Sequence, residues 1–308
     1  MAITVGTASW TEPSLIKSKS FYPPLVKSAE ARLRFYASHF DLTEVDSSYY
    51  ALPSARNARL WVERTPDRFQ FNIKSYRLFS LHQTPPNSLP RDILEALGSV
   101  EKKNLYYKDI PEELRDELWE RFRMAIEPLR IAGKLVAVHF QFSPWTAYHP
   151  QNFSHIEECM AQLPGCQLAI EFRHKSWFEG KHAASTLAFE RDRHLTHAIV
   201  DEPQVGTKSI PAVWEITNED LAVIRLHGRN HETWNKKGLS SSAERFNYDY
   251  STAELEELAT NIEKISQQVN RTQTIFNNNY ENQGQRNALE LMRILRQRGA
   301  AIENRAAA

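Results

Sequence analysis

The chain has 308 residues, room for one large domain or two ordinary ones. Lysine plus arginine and aspartate plus glutamate stand at 38 each, so the formal net charge is zero. That excludes a global attraction to nucleic acid or an anionic membrane and leaves only local charge recognition.

A first strand at 3–7 runs into Gly6-Thr7-Ala8-Ser9-Trp10, whose small residues allow close backbone approach to a neighbouring strand or a ligand. After a loop over 11–28, Leu33, Tyr36, Ala37 and Phe40 mark one face of a helix near 29–39. The second strand, 42–47, sets Glu44 and Asp46 on one side, and a helix at 54–64 stops at Thr65-Pro66. The third strand, 69–74, alternates Phe69, Phe71 and Ile73 with Gln70, Asn72 and Lys74. Residues 78–110 are polar and punctuated by Pro85, Pro86 and Pro90. A connection this long in a compact fold is a lid, a binding loop or an ornament, and here it reads as an insertion between strand three and its helix.

A helix at 112–130 buries Leu114, Leu118, Phe122, Ala125 and Leu129, with Pro128 expected to bend or fray its end. Strand four, 135–142, puts Ala137, His139 and Gln141 on one face, and a helix follows at 151–163. The stretch 169–177 reads as the fifth, interior strand, with Ala169, Glu171 and Arg173 on one face and Ile170 and Phe172 on the other. That sets a carboxylate beside a guanidinium inside the protein, where charges are paired; a structural ion pair and a functional site compete evenly. Then come a helix at 181–193, a sixth strand at 196–201, an irregular section at 203–218 and a seventh strand at 221–227. Val223, Arg225 and His227 share a face of the seventh, and Gly228-Arg229 follows. Ser251 to Glu254 fits a capping box that opens a helix to about 268. An eighth strand at 273–277 runs into Asn278-Asn279, the last helix at 284–298 ends at Gly299, and the tail at 301–308 is expected to fray.

Eight strands, most followed by a helix, predict an α/β fold: a single (β/α)8 TIM barrel over 1–300 with the insertion at about 78–110. An open doubly wound sheet is the alternative, but it calls for a glycine-rich first turn, and the turn here has one glycine. No apolar run approaches the roughly 18 residues of a membrane span. The N-terminus has no basic stretch before an apolar core, and Cys159 and Cys166 match no metal or redox spacing, so a cytoplasmic protein with free thiols is expected.

In such barrels the site lies at the C-terminal strand ends. The alternation sends Glu44, Asp46, Lys74, His139, Gln141, Glu171, Arg173, His174, Asp201, Arg225, His227, Arg229, Asn277 and Asn279 there, with Trp10, Tyr49, Tyr50, Trp145, Trp177 and Trp234 just beyond. A lone strand-end histidine or aspartate is more often structural, but charge at most of the eight ends is harder to dismiss. Three chemistries compete. Lys74, Arg173, Arg225 and Arg229 suit a phosphate or carboxylate, with Glu171, Asp201 or His227 as acid or base. Glu171, Asp201, His227 and His139 are ligand types for a divalent metal, which the neighbouring arginines oppose. Glu44 or Asp46 with Glu171 could form a glycosidase pair. The aromatics beside cations also fit the stacked bases of single-stranded nucleic acid. For Trp61 and Trp119 ordinary packing is the preferred reading. No nucleophile-elbow or phosphate-loop motif is present.

These residues resemble the YecE-like family, barrel proteins carrying a domain of unknown function (DUF72). The matching pieces are Gly6 to Trp10, Glu44-Val45-Asp46-Ser47-Ser48-Tyr49-Tyr50, Phe71-Asn72-Ile73-Lys74, Phe140 to Pro144, Glu171 to Trp177, Arg225 to Arg229, and Phe276-Asn277-Asn278 with Gly284, Asn287 and Ala288. The resemblance implies a (β/α)8 barrel and no particular reaction. A likeness of such barrels to metal-dependent apurinic endonucleases and sugar isomerases is one of fold alone. The chain departs from the family pattern at Asp46 and Ser47, where asparagine and a small hydroxyl residue are frequent, and in the insertion.

The expectation is therefore an enzyme, a hydrolase or isomerase, acting on an anionic, phosphorylated or nucleotide-like substrate in an anion-binding pocket. Glu171, Asp201 and His227 are its expected acid, base or orienting groups. Arg173, Arg225, Arg229, Lys74, Gln141, Asn277, Trp10 and Trp177 are its expected substrate contacts. No cofactor or metal ligand is assigned, although a divalent metal stays open. A nucleic-acid-binding module without catalysis is the alternative, no membrane partner is expected, and the oligomeric state is not legible.

Overall fold

Eight short runs of alternating aliphatic and polar residues pair side by side in chain order. These are β1 (Ala2–Ala8), β2 (Leu42–Val45), β3 (Gln70–Lys74), β4 (Leu135–Gln141), β5 (Leu168–Glu171), β6 (Thr196–Asp201), β7 (Leu221–Leu226) and β8 (Arg271–Phe276). All neighbours are parallel, and β1 pairs with β8, so the sheet closes into a (β/α)8 barrel as expected. The structure, a computed structural model, describes residues 2–206, 209–236, 238–239 and 241–303.

Helices cover the outside: α1 (Pro13–Ser18), α2 (Ala29–Ala37), α3 (Ser47–Tyr50), α4 (Ala55–Glu63), α5 (Arg91–Leu97), α6 (Glu112–Ile131), α7 (Pro150–Gln162), α8 (His182–Asp192), α9 (Thr252–Ser266) and α10 (Gln283–Gln297). The outward strand residues, among them Phe71, Ile73, Phe140, Ile170 and Ile224, join the helix stripes in one large core. A small second core of Ala8, Leu42, Ala137, Ala169, Val223 and Ile275 fills the barrel. Its small side chains leave room above them for large polar groups. The capping box forms as read: Ser251 Oγ accepts from the Glu254 amide, and the Glu254 carboxylate accepts from the Ser251 amide at 2.8 Å.

Several boundaries differ from the sequence reading. The loop 11–28 contains α1, opened by Pro13 at its first position. β2 ends at Val45 rather than 47, because Ser47 starts α3. The fifth strand stops at Glu171 rather than 177, and Lys175–Trp177 forms a 3-10 turn. α6 runs on through Pro128 to Ile131. As expected, the section after β6 has no helix among its described residues. Of the tail expected to fray, Ile302 bridges to Ile3, and the Ile3 amide donates to Ala301 O at 3.0 Å; 304–308 lie outside the described residues.

The insertion is anchored rather than loose. Phe79 stacks on Trp119 of α6 with ring centres 3.5 Å apart. Thr84 and Leu105 exchange backbone hydrogen bonds at 2.8 and 2.9 Å, closing a loop that holds α5 and a 3-10 turn at Pro86–Ser88.

Candidate functional site

The barrel floor is an ion network with no solvent exposure. Arg225, which alternation along β7 turns inward, bridges two carboxylates: Nη2 donates to Glu44 Oε1 at 2.5 Å, and Nη1 to Glu171 Oε2. His139 sits between the same carboxylates, with Nδ1 3.0 Å from Glu44 and Nε2 3.4 Å from Glu171. Burial would raise both glutamates, but the Arg225 guanidinium together with His139 at Glu44 and with His227 at Glu171 outweighs it and holds both carboxyls below the usual range. Burial pushes His227 down to about 4, against the pull of Glu171. Neutral His227 then donates from Nε2 to Glu171 Oε1 at 3.1 Å and accepts at Nδ1 from the Asn277 amide at 2.8 Å.

Above this floor lie two cations that still reach solvent, each on a carboxylate pushed upward. Leaving the strand after Glu171 lets Arg173 turn across the mouth: Nη1 lies 3.2 Å from Glu171, Nη2 lies 3.3 Å from Glu202, and 13% of the side chain is exposed. Burial raises Glu202 to about 7 despite Arg173. On the other side Lys74, 12% exposed, stands 3.5 Å from Asp46, which is 20% exposed. Burial raises Asp46 as well, against the pull of Lys74. Lys74 and Arg77 both lie 5.2 Å from the centre of the Tyr49 ring. Burial, joined by the fields of Lys74, Arg77 and Arg173, lowers His82 to about 4, while its bond to Gln141 O opposes. Gln141 donates to Glu171 at 2.5 Å.

The remaining expected contacts lie elsewhere or are committed. Arg225 is fully buried, so it organises carboxylates instead of meeting a ligand. Arg229 grips both Asp201 oxygens at 2.8–3.0 Å, and Tyr250 donates to Asp201 Oδ2 at 2.7 Å. Asp201 and Arg229 thus form a clamp between the ends of β6 and β7, not an acid–base group and an anion hook. Trp10 is buried edge-on against Trp61 and Phe71. Trp177 is fully buried, stacks on Phe172 at 3.9 Å and donates to Thr146 O. Both are packing groups. Among the described residues no group of three or more His, Cys, Asp and Glu side chains could hold a metal ion; between Glu44 and Glu171 the Arg225 guanidinium supplies the positive charge.

Sequence reasoning missed Glu202 and His82 as site groups. Glu202 follows the sixth strand directly, and its place beside Asp201 was the available signal. His82 lies in the insertion, where no periodicity indicates direction.

The fold and mouth define a closed (β/α)8 barrel protein with a charged strand-end site. A family model described as "Protein of unknown function DUF72" matches residues 4–308. The chain belongs to this family. It is 31% identical over 295 residues to the UPF0759 protein YunF of Bacillus subtilis (strain 168), covering 95% of this chain and 94% of that one. A crystal structure of a DUF72 family protein from Enterococcus faecalis V583 matches at 28% identity and TM-score 0.77, over 96% of this chain and 95% of that one. A DUF72 family protein from Thermotoga maritima MSB8 matches at 27% identity and TM-score 0.73, over 96% and 100%. No helix among the described residues is long and apolar enough to cross a membrane.

Proposed function

We propose that this chain is an enzyme that binds a phosphate-bearing small molecule at the barrel mouth and moves a proton on it, as a hydrolase or isomerase does. The carrying observation is the pair of part-exposed cations, Lys74 and Arg173, each resting on a carboxylate pushed toward neutral, over a floor of ionised Glu44 and Glu171. Carboxylates pushed apart in pKa within one site are the usual mark of divided acid and base roles.

A substrate anion has Lys74 and Arg173 to pair with. It then shares their charge with Asp46 and Glu202, whose carboxylates take up a proton more readily. Asp46 is the more exposed and the better placed to exchange that proton with substrate. Glu171 and neutral His227 support from below by fixing Arg173 and Gln141.

The test is a thermal-shift and calorimetric screen of sugar phosphates and nucleotides against the parent, Lys74→Ala and Arg173→Ala. A ligand at a hundred times its Kd adds about 2.7 kcal/mol, readily seen in a melting curve. Stabilisation by a phosphate compound, lost in both variants, is expected. Stabilisation by none of the panel overturns the reading.

A further inference from the structure

Arg77 stands at the barrel mouth without a counter-charge. It lies just after β3, and its amide donates to Tyr49 O at 3.1 Å. Its guanidinium sits 5.2 Å from the centre of the Tyr49 ring, which the Lys74 ammonium also approaches to 5.2 Å. The side chain is part-buried, Nε is buried with no hydrogen-bond partner, and among the described residues no carboxylate pairs with it. Stacking on Tyr49 accounts for where the guanidinium lies but does not answer its charge.

The same wall reaches Arg173. The His82 ring meets Tyr49 at 5.1 Å, and its Nε2 donates to Gln141 O at 3.0 Å. Gln141 and Arg173 both donate to Glu171 Oε1, at 2.5 and 3.2 Å. Lys74, Arg77 and Arg173 all bear on His82, and each lowers its affinity for a proton. The other two cations are already partnered, Lys74 by Asp46 and Arg173 by Glu171 and Glu202. Arg77 therefore adds a positive charge beyond those that the carboxylates of the mouth answer.

We propose that Arg77 joins Lys74 and Arg173 in holding the substrate anion, and that the mouth selects a dianionic phosphate monoester over a monoanion of the same shape. A phosphate monoester carries a charge of about −1.5 to −2 at neutral pH and three acceptor oxygens, one for each cation. A sulfate ester or a phosphate diester carries one negative charge and leaves Arg77 unanswered. A guanidinium held flat on a ring keeps its N–H edges for such oxygens. This inference rests on the mouth being an anion site and names the class of anion it takes.

Titration of the full chain with methyl phosphate and methyl sulfate at pH 7.5, by thermal shift and calorimetry, tests it. The two probes match in shape and differ in charge. The parent is expected to bind methyl phosphate about ten-fold or more tighter than methyl sulfate. Arg77→Gln, which keeps a planar end over Tyr49, brings the two within about two-fold of each other. Arg77→Lys, which keeps the charge, retains most of the margin, and Lys74→Ala weakens both probes. Melting curves without ligand confirm that each variant folds. If the parent binds both probes equally, or Arg77→Gln keeps the margin, the role of Arg77 is wrong while the anion site stands. If the parent binds neither probe, the dianion reading falls, and the anion site falls with it only when the sugar phosphates and nucleotides fail as well.

Discussion

Arg225 donates to Glu44 at 2.5 Å with both side chains fully buried, and a second bond from the same guanidinium reaches Glu171. Arg225→Met strips Glu44 of its guanidinium partner and leaves Glu171 to Arg173 alone, which costs about 3–5 kcal/mol. Urea unfolding at pH 7 measures it. Adding Glu44→Gln to that variant is expected to restore part of the loss, since the two sites share one interaction. A variant within about 1 kcal/mol of the parent would mean that the network does not act as a unit.

Arg229 is spoken for by Asp201 and Glu254, and Tyr250 holds Asp201 in turn. Arg229→Ala is therefore expected to lower stability by about 1–3 kcal/mol and to leave phosphate binding at the mouth unchanged. Arg173→Ala is expected to show the reverse emphasis, with binding lost. Parallel melting curves and titrations separate the two arginines; equal binding losses would return Arg229 to the anion site.

Gly6 is fixed by its neighbour rather than by a ligand. A Cβ there would lie 2.0 Å from the Leu42 carbonyl oxygen of β2, and backbone cannot yield as a flexible side chain can. Gly6→Ala is expected to cost more than about 3 kcal/mol or to abolish soluble folding. Gly98→Ala, where nothing lies within 4 Å, is the control: it meets only the backbone penalty of φ +71 with ψ −140, about 1–3 kcal/mol.

The barrel was legible because its strands alternate cleanly and its helices carry apolar stripes. That same alternation turned Glu44, His139, Glu171 and Arg225 inward together. What alternation cannot carry is direction after a strand ends. Arg173 was read as a strand residue, yet it meets Glu171 and Glu202 because the strand has already stopped. Nor does residue type reveal prior commitment: Asp201 and Arg229 look like site groups until their mutual hydrogen bonds are seen. Trp177 next to a charged motif suggested a rim, whereas its apolar surface is satisfied by Phe172 and Tyr148 inside.

Glu202 gives the site a pH signature. Unfolded, its carboxyl titrates near the ordinary 4.5; folded, burial raises it to about 7. Between those values the unfolded chain has lost a proton that the folded chain keeps, so stability falls as pH rises, by at most about 3 kcal/mol. His227 acts oppositely, since its folded value of about 4 lies below the ordinary 6.5 and stability rises with pH across that interval. Comparing Glu202→Gln with the parent cancels the histidine. The variant is expected to gain on the parent from pH 5 to about pH 7 in urea midpoints and to level off above that, and a constant difference would mean that Glu202 titrates normally. The same group should mark ligand binding. An anion that draws charge from Arg173 weakens the cation that opposes burial most strongly, so Glu202 takes up a proton. Calorimetry with a bound phosphate compound at pH 7.5, in buffers of different ionisation enthalpy, is expected to show that uptake in the parent and a smaller one, carried by Asp46, in Glu202→Gln.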